Sequence, residues 1–99
     1  MTPAEPSSDR FLHAIADPTR RRILRALKEK GGSSDGHETG LCASDIEQRV
    51  KLAQPTISHH MRILEKAGLV NAKREGHWRR YQRNEKLIRE GMKKLSKEL

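Results

Sequence analysis

Ninety-nine residues are enough for one domain, and a hydrophobic fraction of 33% keeps its core modest. A net charge of +8 and a pI near 10.2 point to a polyanionic partner. No apolar run approaches the roughly 20 residues that cross a bilayer, and the single cysteine, Cys42, excludes an internal disulfide and a multi-cysteine metal site. The opening MTPAEPSSDR has neither the basic nor the apolar region of a signal peptide, so a reducing, cytoplasmic setting with no membrane partner is expected. The basic excess is local. Residues 1–50 balance eight Lys/Arg against eight Asp/Glu, residues 51–83 hold eight against two, and residues 84–99 hold five against three.

Residues 1–7, with two prolines and a serine, read as a disordered arm, and residues 8–99 as a single domain. A short helix begins at Ser8 or Asp9, with Phe11, Leu12 and Ile15 on one face. Asp17-Pro18 restarts the chain, because Asp caps a helix and Pro fits its first position. The helix that follows runs to about Lys30 and sets Ile23, Leu24 and Leu27 at core spacing. The glycine-rich stretch 31–40 reads as a flexible loop. A third helix spans about Ala43 to Val50, with Ile46 and Val50 one turn apart. The most regular segment, Gln54 to Ala67, carries Ile57, Met61 and Leu64 as a single apolar stripe, and Gly68 follows as a left-handed cap. Two strand-like runs, 69–74 and 78–83, flank Glu75-Gly76-His77 as a hairpin. A last helix, Glu85–Leu99, spaces Ile88, Met92, Leu95 and Leu99 along one face. The order α-α-α-α-β-β-α describes a mostly α, α+β domain.

Two helices joined by a tight turn and followed by a two-stranded ribbon predict a winged helix-turn-helix, whose second helix enters the major groove of duplex DNA. Reading side chains must leave the face opposite the core stripe. At about 100° per residue from Ile57, Ser58, Arg62 and His59 fall near 100°, 140° and 200°, away from the core. Those three, with Gln54 and Thr56 in the first turn, are expected to contact bases or phosphates. His60, near 300°, borders the stripe and reads as a packing residue. Lys73, Arg74, Arg79 and Arg80, beside the hairpin tip, are expected to reach phosphates or the minor groove. Ser58 and His59 are neighbours on one helix and cannot face each other as nucleophile and base, and no phosphate-binding glycine loop is present. An enzyme is not expected.

The segments IADPTRRRIL (15–24), ASDIEQRV (43–50), QPTISHHMRILEKAGLV (54–70) and REGHWRRYQRN (74–84) resemble the ArsR-type winged-helix repressors. The resemblance covers about residues 9–99. It implies a homodimeric repressor on a palindromic operator, with the first and last helices as interface. Phe11, Leu12, Ile15, Ile88, Met92, Leu95 and Leu99 offer apolar stripes for that role. Metal-sensing relatives place two cysteines at the start of the third helix, or Asp and His on the last. Here Ser44 stands where the second cysteine would be, and the last helix has neither Asp nor His. No metal, cofactor or small-molecule ligand is therefore expected. Two alternatives stay open: a metal- or thiol-responsive derepressor using Cys42, His37 and Glu38, and a winged helix that serves as a protein-interaction module.

Overall fold

The computed structural model describes residues 8–28 and 40–99. The expected arm at 1–7, most of the loop at 31–40, and the candidate ligands His37 and Glu38 lie outside the described residues. Among the described residues are five helices, α1 (Ser8–Ala16), α2 (Pro18–Lys28), α3 (Ala43–Val50), α4 (Gln54–Lys66) and α5 (Glu85–Glu98), and three strands, β1 (Leu41–Cys42), β2 (Val70–Glu75) and β3 (Trp78–Arg83). Helix positions follow the sequence reading closely. The strand β1 does not: it adds a third strand to the expected ribbon, antiparallel to β3, so that the sheet runs β1-β3-β2 with β3 in the centre.

The joint between α1 and α2 shows how local chemistry places the elements. Asp17 Oδ1 accepts from the amides of Thr19 at 2.7 Å and Arg20 at 3.1 Å, capping two of the free donors at the start of α2. Pro18 at the first helical position has no amide to give back to α1. The last four carbonyls of α1 are taken by guanidinium groups instead. Arg20 donates to Ala14 at 2.7 Å and His13 at 2.8 Å, and Arg21 donates to Ile15 at 2.7 Å and Ala16 at 3.0 Å. Partial burial works against charge on Asp17, but the amides of Arg20 and Thr19 and the Arg20 guanidinium hold its pKa below the ordinary 3.8. Asp17→Ala is expected to lose about 1 kcal/mol of stability near neutral pH. Because the folded-state pKa is depressed, this contribution is complete above about pH 4 and fades as pH falls through the lowered value. Urea denaturation of both proteins at several pH values checks the size and the trend.

The core is assembled as the stripes predict. Ile23, Leu24 and Leu27 of α2, Ile46 and Val50 of α3, and Ile57, Met61 and Leu64 of α4 are buried together with Leu41, Leu69, Val70 and Tyr81. Lys51, in the left-handed region at φ 56°, turns the chain from α3 towards α4. Gly68 takes φ 81° after α4, with its amide on Glu65 O at 2.9 Å and that of Leu69 on Leu64 O at 3.0 Å, which completes the cap expected there. Asn84 caps α5 through Leu87 N at 3.2 Å.

The terminal helices pack on each other. Phe11 is 1% exposed, and a Cβ added at Gly91 of α5 would meet its ring at 2.5 Å. This corrects the expectation that Phe11 faces another copy of the chain: the gap left by a glycine on α5 admits the ring inside the protomer. Ile15 and Ile88 are half-buried against the same core, and Leu95 is half-buried. Leu12, Met92 and Leu99 remain exposed, at 46%, 50% and 99%. Among the described residues no helix is long and apolar enough to cross a membrane.

Candidate nucleic-acid interface

Helix α4 buries Ile57, Met61 and Leu64 and thereby turns Gln54, Thr56, Ser58, His59 and Arg62 to solvent, where all five are exposed. Pro55 in its first turn fits positions whose amides have no helical partner. His60 is half-buried, as its place beside the stripe predicts, and burial lowers its pKa from the ordinary 6.5.

The hairpin pairs Val70 with Arg83 through to Glu75 with Trp78, leaving Gly76-His77 as a two-residue turn with Gly76 at φ 59°. Arg74 lies directly opposite Arg79, and both are exposed. Like charges directly opposite on a sheet repel, with Cβ atoms about 5 Å apart, and a polyanion relieves that repulsion. Lys73 is exposed as well. Arg79 is held by Glu65 of α4 at 3.3 Å and sits 5.9 Å over the Tyr81 ring. A surface ion pair of this kind is worth about 1 kcal/mol or less, so a phosphate can displace the carboxylate.

Arg80 does not belong to this surface. It was expected among the wing contacts, yet it is only 2% exposed. The cause is β1, whose Cys42 pairs with Arg80 on the far edge of β3, together with Gly40, where an added Cβ would touch the Arg80 side chain at 2.8 Å.

A cleft of about 420 Å³ joins the helices to the wing. It is lined by Ser44 and Glu47 of α3, Gln54 and Ser58 of α4, and His77 and Arg79 of the hairpin. The fold thus brings Gln54, Ser58 and Arg79 together across one groove, while Arg62 and Lys73 lie outside its lining. Glu47 and His77 are not marked out by sequence, and Ser44 only as the residue in place of a second cysteine, because nothing in their local pattern shows that α3 and the hairpin tip converge.

Cys42 also lines this cleft, buried at the start of α3. Its Sγ donates to Asp45 Oδ2 at 3.0 Å and lies 3.2 Å from Ser44 Oγ, and its amide reaches the same carboxylate at 3.4 Å. The thiol therefore takes part in the helix cap. Among the described residues no three His, Cys, Asp or Glu side chains gather at a spacing that could hold a metal ion. Among the described residues, the groups named beside the thiol are one carboxylate and one hydroxyl, from Asp45 and Ser44.

With this geometry in view, comparison with known proteins identifies the lineage. The family model for bacterial regulatory proteins of the arsR family matches residues 17–72, from the α2 cap through the recognition helix into the wing. The chain belongs to the ArsR family. It is 46% identical to an uncharacterized HTH-type transcriptional regulator of Methanocaldococcus jannaschii, over 69% of this chain and 67% of that protein. It is 35% identical to the transcriptional repressor SdpR of Bacillus subtilis, over 80% of this chain and 78% of that one. The structure of NolR from Sinorhizobium fredii superposes with a TM-score of 0.68 at 25% identity, covering 98% of this chain and 95% of that one. The fold of this ArsR-family chain is a winged helix, and its family consists of transcriptional regulators, not enzymes.

Proposed function

We propose that the chain is a homodimeric transcriptional repressor that reads a palindromic operator in duplex DNA and acts in the cytoplasm. The observation that carries this reading is the groove in which Gln54 and Ser58 of α4 meet Arg79 of the wing. A helix of this kind fits the major groove, and the wing arginine sits where the flanking sugar-phosphate strand would pass. Repression is carried over from SdpR, a transcriptional repressor. Exposed Leu12, Met92 and Leu99, with half-buried Leu95, supply the interface between copies. Arg62 and His59, exposed on the outer face of α4, read base edges, while Lys73, Arg74 and Arg79 neutralise phosphates.

Two substitutions separate those roles. Arg62→Ala is expected to weaken the selected operator by about 1–3 kcal/mol while leaving scrambled duplex nearly unchanged. Arg79→Ala is expected to weaken every duplex and to reduce the slope of log affinity against log salt by about 1. Fluorescence anisotropy at several salt concentrations measures both. Equal losses on operator and scrambled duplex for Arg62→Ala would move that residue to the phosphate contacts.

DNA release in this reading does not depend on zinc, cadmium or arsenite, since Cys42 is engaged with Asp45 and Ser44 supplies only a hydroxyl beside it. Operator titrations with stoichiometric metal check this. A shift of about tenfold that disappears in Cys42→Ser would establish the metal-responsive alternative.

A further inference from the structure

Arg20 is only 6% exposed, although it stands in a run of three arginines, Arg20-Arg21-Arg22. Its Nε and Nη2 are fixed on the carbonyls of Ala14 and His13 at the end of α1, and Asp17 lies 3.7 Å from Nη1. The same Nη1 is 3.3 Å from Nδ1 of His60, in the middle of the recognition helix. A guanidinium can only donate, so Nδ1 accepts and the ring carries its proton on Nε2. His60 is flanked by Ser58 and His59 on one side and Arg62 on the other. A rotation of α4 about its axis that broke this contact would displace those reading side chains together.

We propose that Arg20 is a positioning residue for DNA reading: anchored on the end of α1, it holds His60 and thereby fixes the rotation of α4 relative to the first two helices. The inference rests on the DNA-reading function proposed above. It ties the helix offered for dimerisation to the helix offered for recognition through one side chain, so that the two reading helices of a dimer keep their relative setting. The contact requires a neutral imidazole. The charged and titratable groups acting on the His60 ring are Asp17 from the joint before α2, Arg20 from α2 and His59 from its own helix. Burial, Arg20 and His59 favour the neutral ring, and Asp17 opposes them. Protonation removes the acceptor and sets a cation against the buried guanidinium. Discrimination therefore falls as pH drops below the His60 pKa, which lies under 6.5.

The test compares binding of a selected operator with that of scrambled duplex, for the full-length wild type, Arg20→Lys, His60→Leu and His60→Gln, between about pH 7.5 and pH 5. Arg20→Lys keeps the charge but not the fork that spans three acceptors. It is expected to lose about fivefold or more of the preference for operator, with scrambled-duplex affinity unchanged. His60→Leu, which leaves the α1 anchors in place, is expected to show the same loss should the Arg20 variant fold poorly. His60→Gln offers an amide oxygen that does not titrate, so it should retain the preference and no longer lose it at low pH. Comparing preference, not affinity, separates a change in reading from a change in overall attraction to DNA. A folded Arg20→Lys or His60→Leu with full preference would overturn the inference, as would a His60→Gln profile with the wild-type pH dependence. Absence of any operator preference in the wild type would instead remove the DNA-reading function itself.

Discussion

Phe11→Ala is expected to destabilise the chain by about 3–5 kcal/mol, a large part of what a small domain has. The ring is 1% exposed and fills the space over Gly91, so its removal leaves a cavity between α1 and α5 that neither helix can close without moving. The same geometry predicts a reversal of sign at Gly91. In the wild type, a Cβ there would lie 2.5 Å from Cε1 and 2.6 Å from Cδ1 of a ring that is 1% exposed. That overpacking, about 1–3 kcal/mol or more, outweighs the gain of about 1 kcal/mol that alanine brings to a helix interior. In the Phe11→Ala background the obstacle is gone, and Gly91→Ala should stabilise by about 1 kcal/mol. Urea denaturation of the four proteins at one fixed concentration measures the cycle. Equal effects of Gly91→Ala in both backgrounds would place the ring elsewhere.

Leu12→Glu combined with Met92→Glu should convert a dimer into folded monomers and weaken binding to a two-half-site operator by about 100-fold or more. Both side chains are about half exposed on the α1–α5 pair, so a carboxylate at either costs the monomer little, whereas an interface between copies would bury like charges. The loss on DNA is large because the second half-site is bound at the high effective concentration set by the first. Binding to a single half-site should be unchanged, since α4 and the wing are untouched. Sedimentation and half-site titrations together decide it: a variant that still sediments as a dimer removes the terminal helices as the interface. Deleting α5 is a poorer test, because Leu87, Ile88 and Gly91 pack against the core and Phe11 would be uncovered.

The parts of the fold that could be read from sequence are those whose cause is local. Asp17-Pro18 marks the start of α2 by capping, the Ile57, Met61 and Leu64 stripe sets which face of α4 is buried, and Gly68 ends that helix because φ 81° suits glycine. What stayed hidden depends on residues far apart in the chain. Strand β1 is two residues long and has no periodicity; it is a strand only because Leu41 and Cys42 pair with Tyr81 and Arg80. Arg79 and Arg80 are adjacent in β3 and so leave opposite faces of the sheet, one exposed and the other covered on the side where Gly40 lies. Phe11 and Leu12 share an apolar stripe, and the absence of a side chain at Gly91 makes room for the Phe11 ring in the interior. The burial of Arg20 is hidden for a similar reason: its anchors on α1 are backbone carbonyls, which leave no mark on the sequence, and His60 lies forty residues away.

Selection of bound duplexes from a random pool reads out DNA recognition and its symmetry together. A dimer that sets two α4 helices into successive major grooves should enrich an inverted repeat with half-site centres about one helical turn, roughly 10 bp, apart. Arg62→Ala should relax the preference at one symmetric pair of positions within it. Enrichment of no sequence, or of an unrepeated site bound by a single copy, would contradict the account.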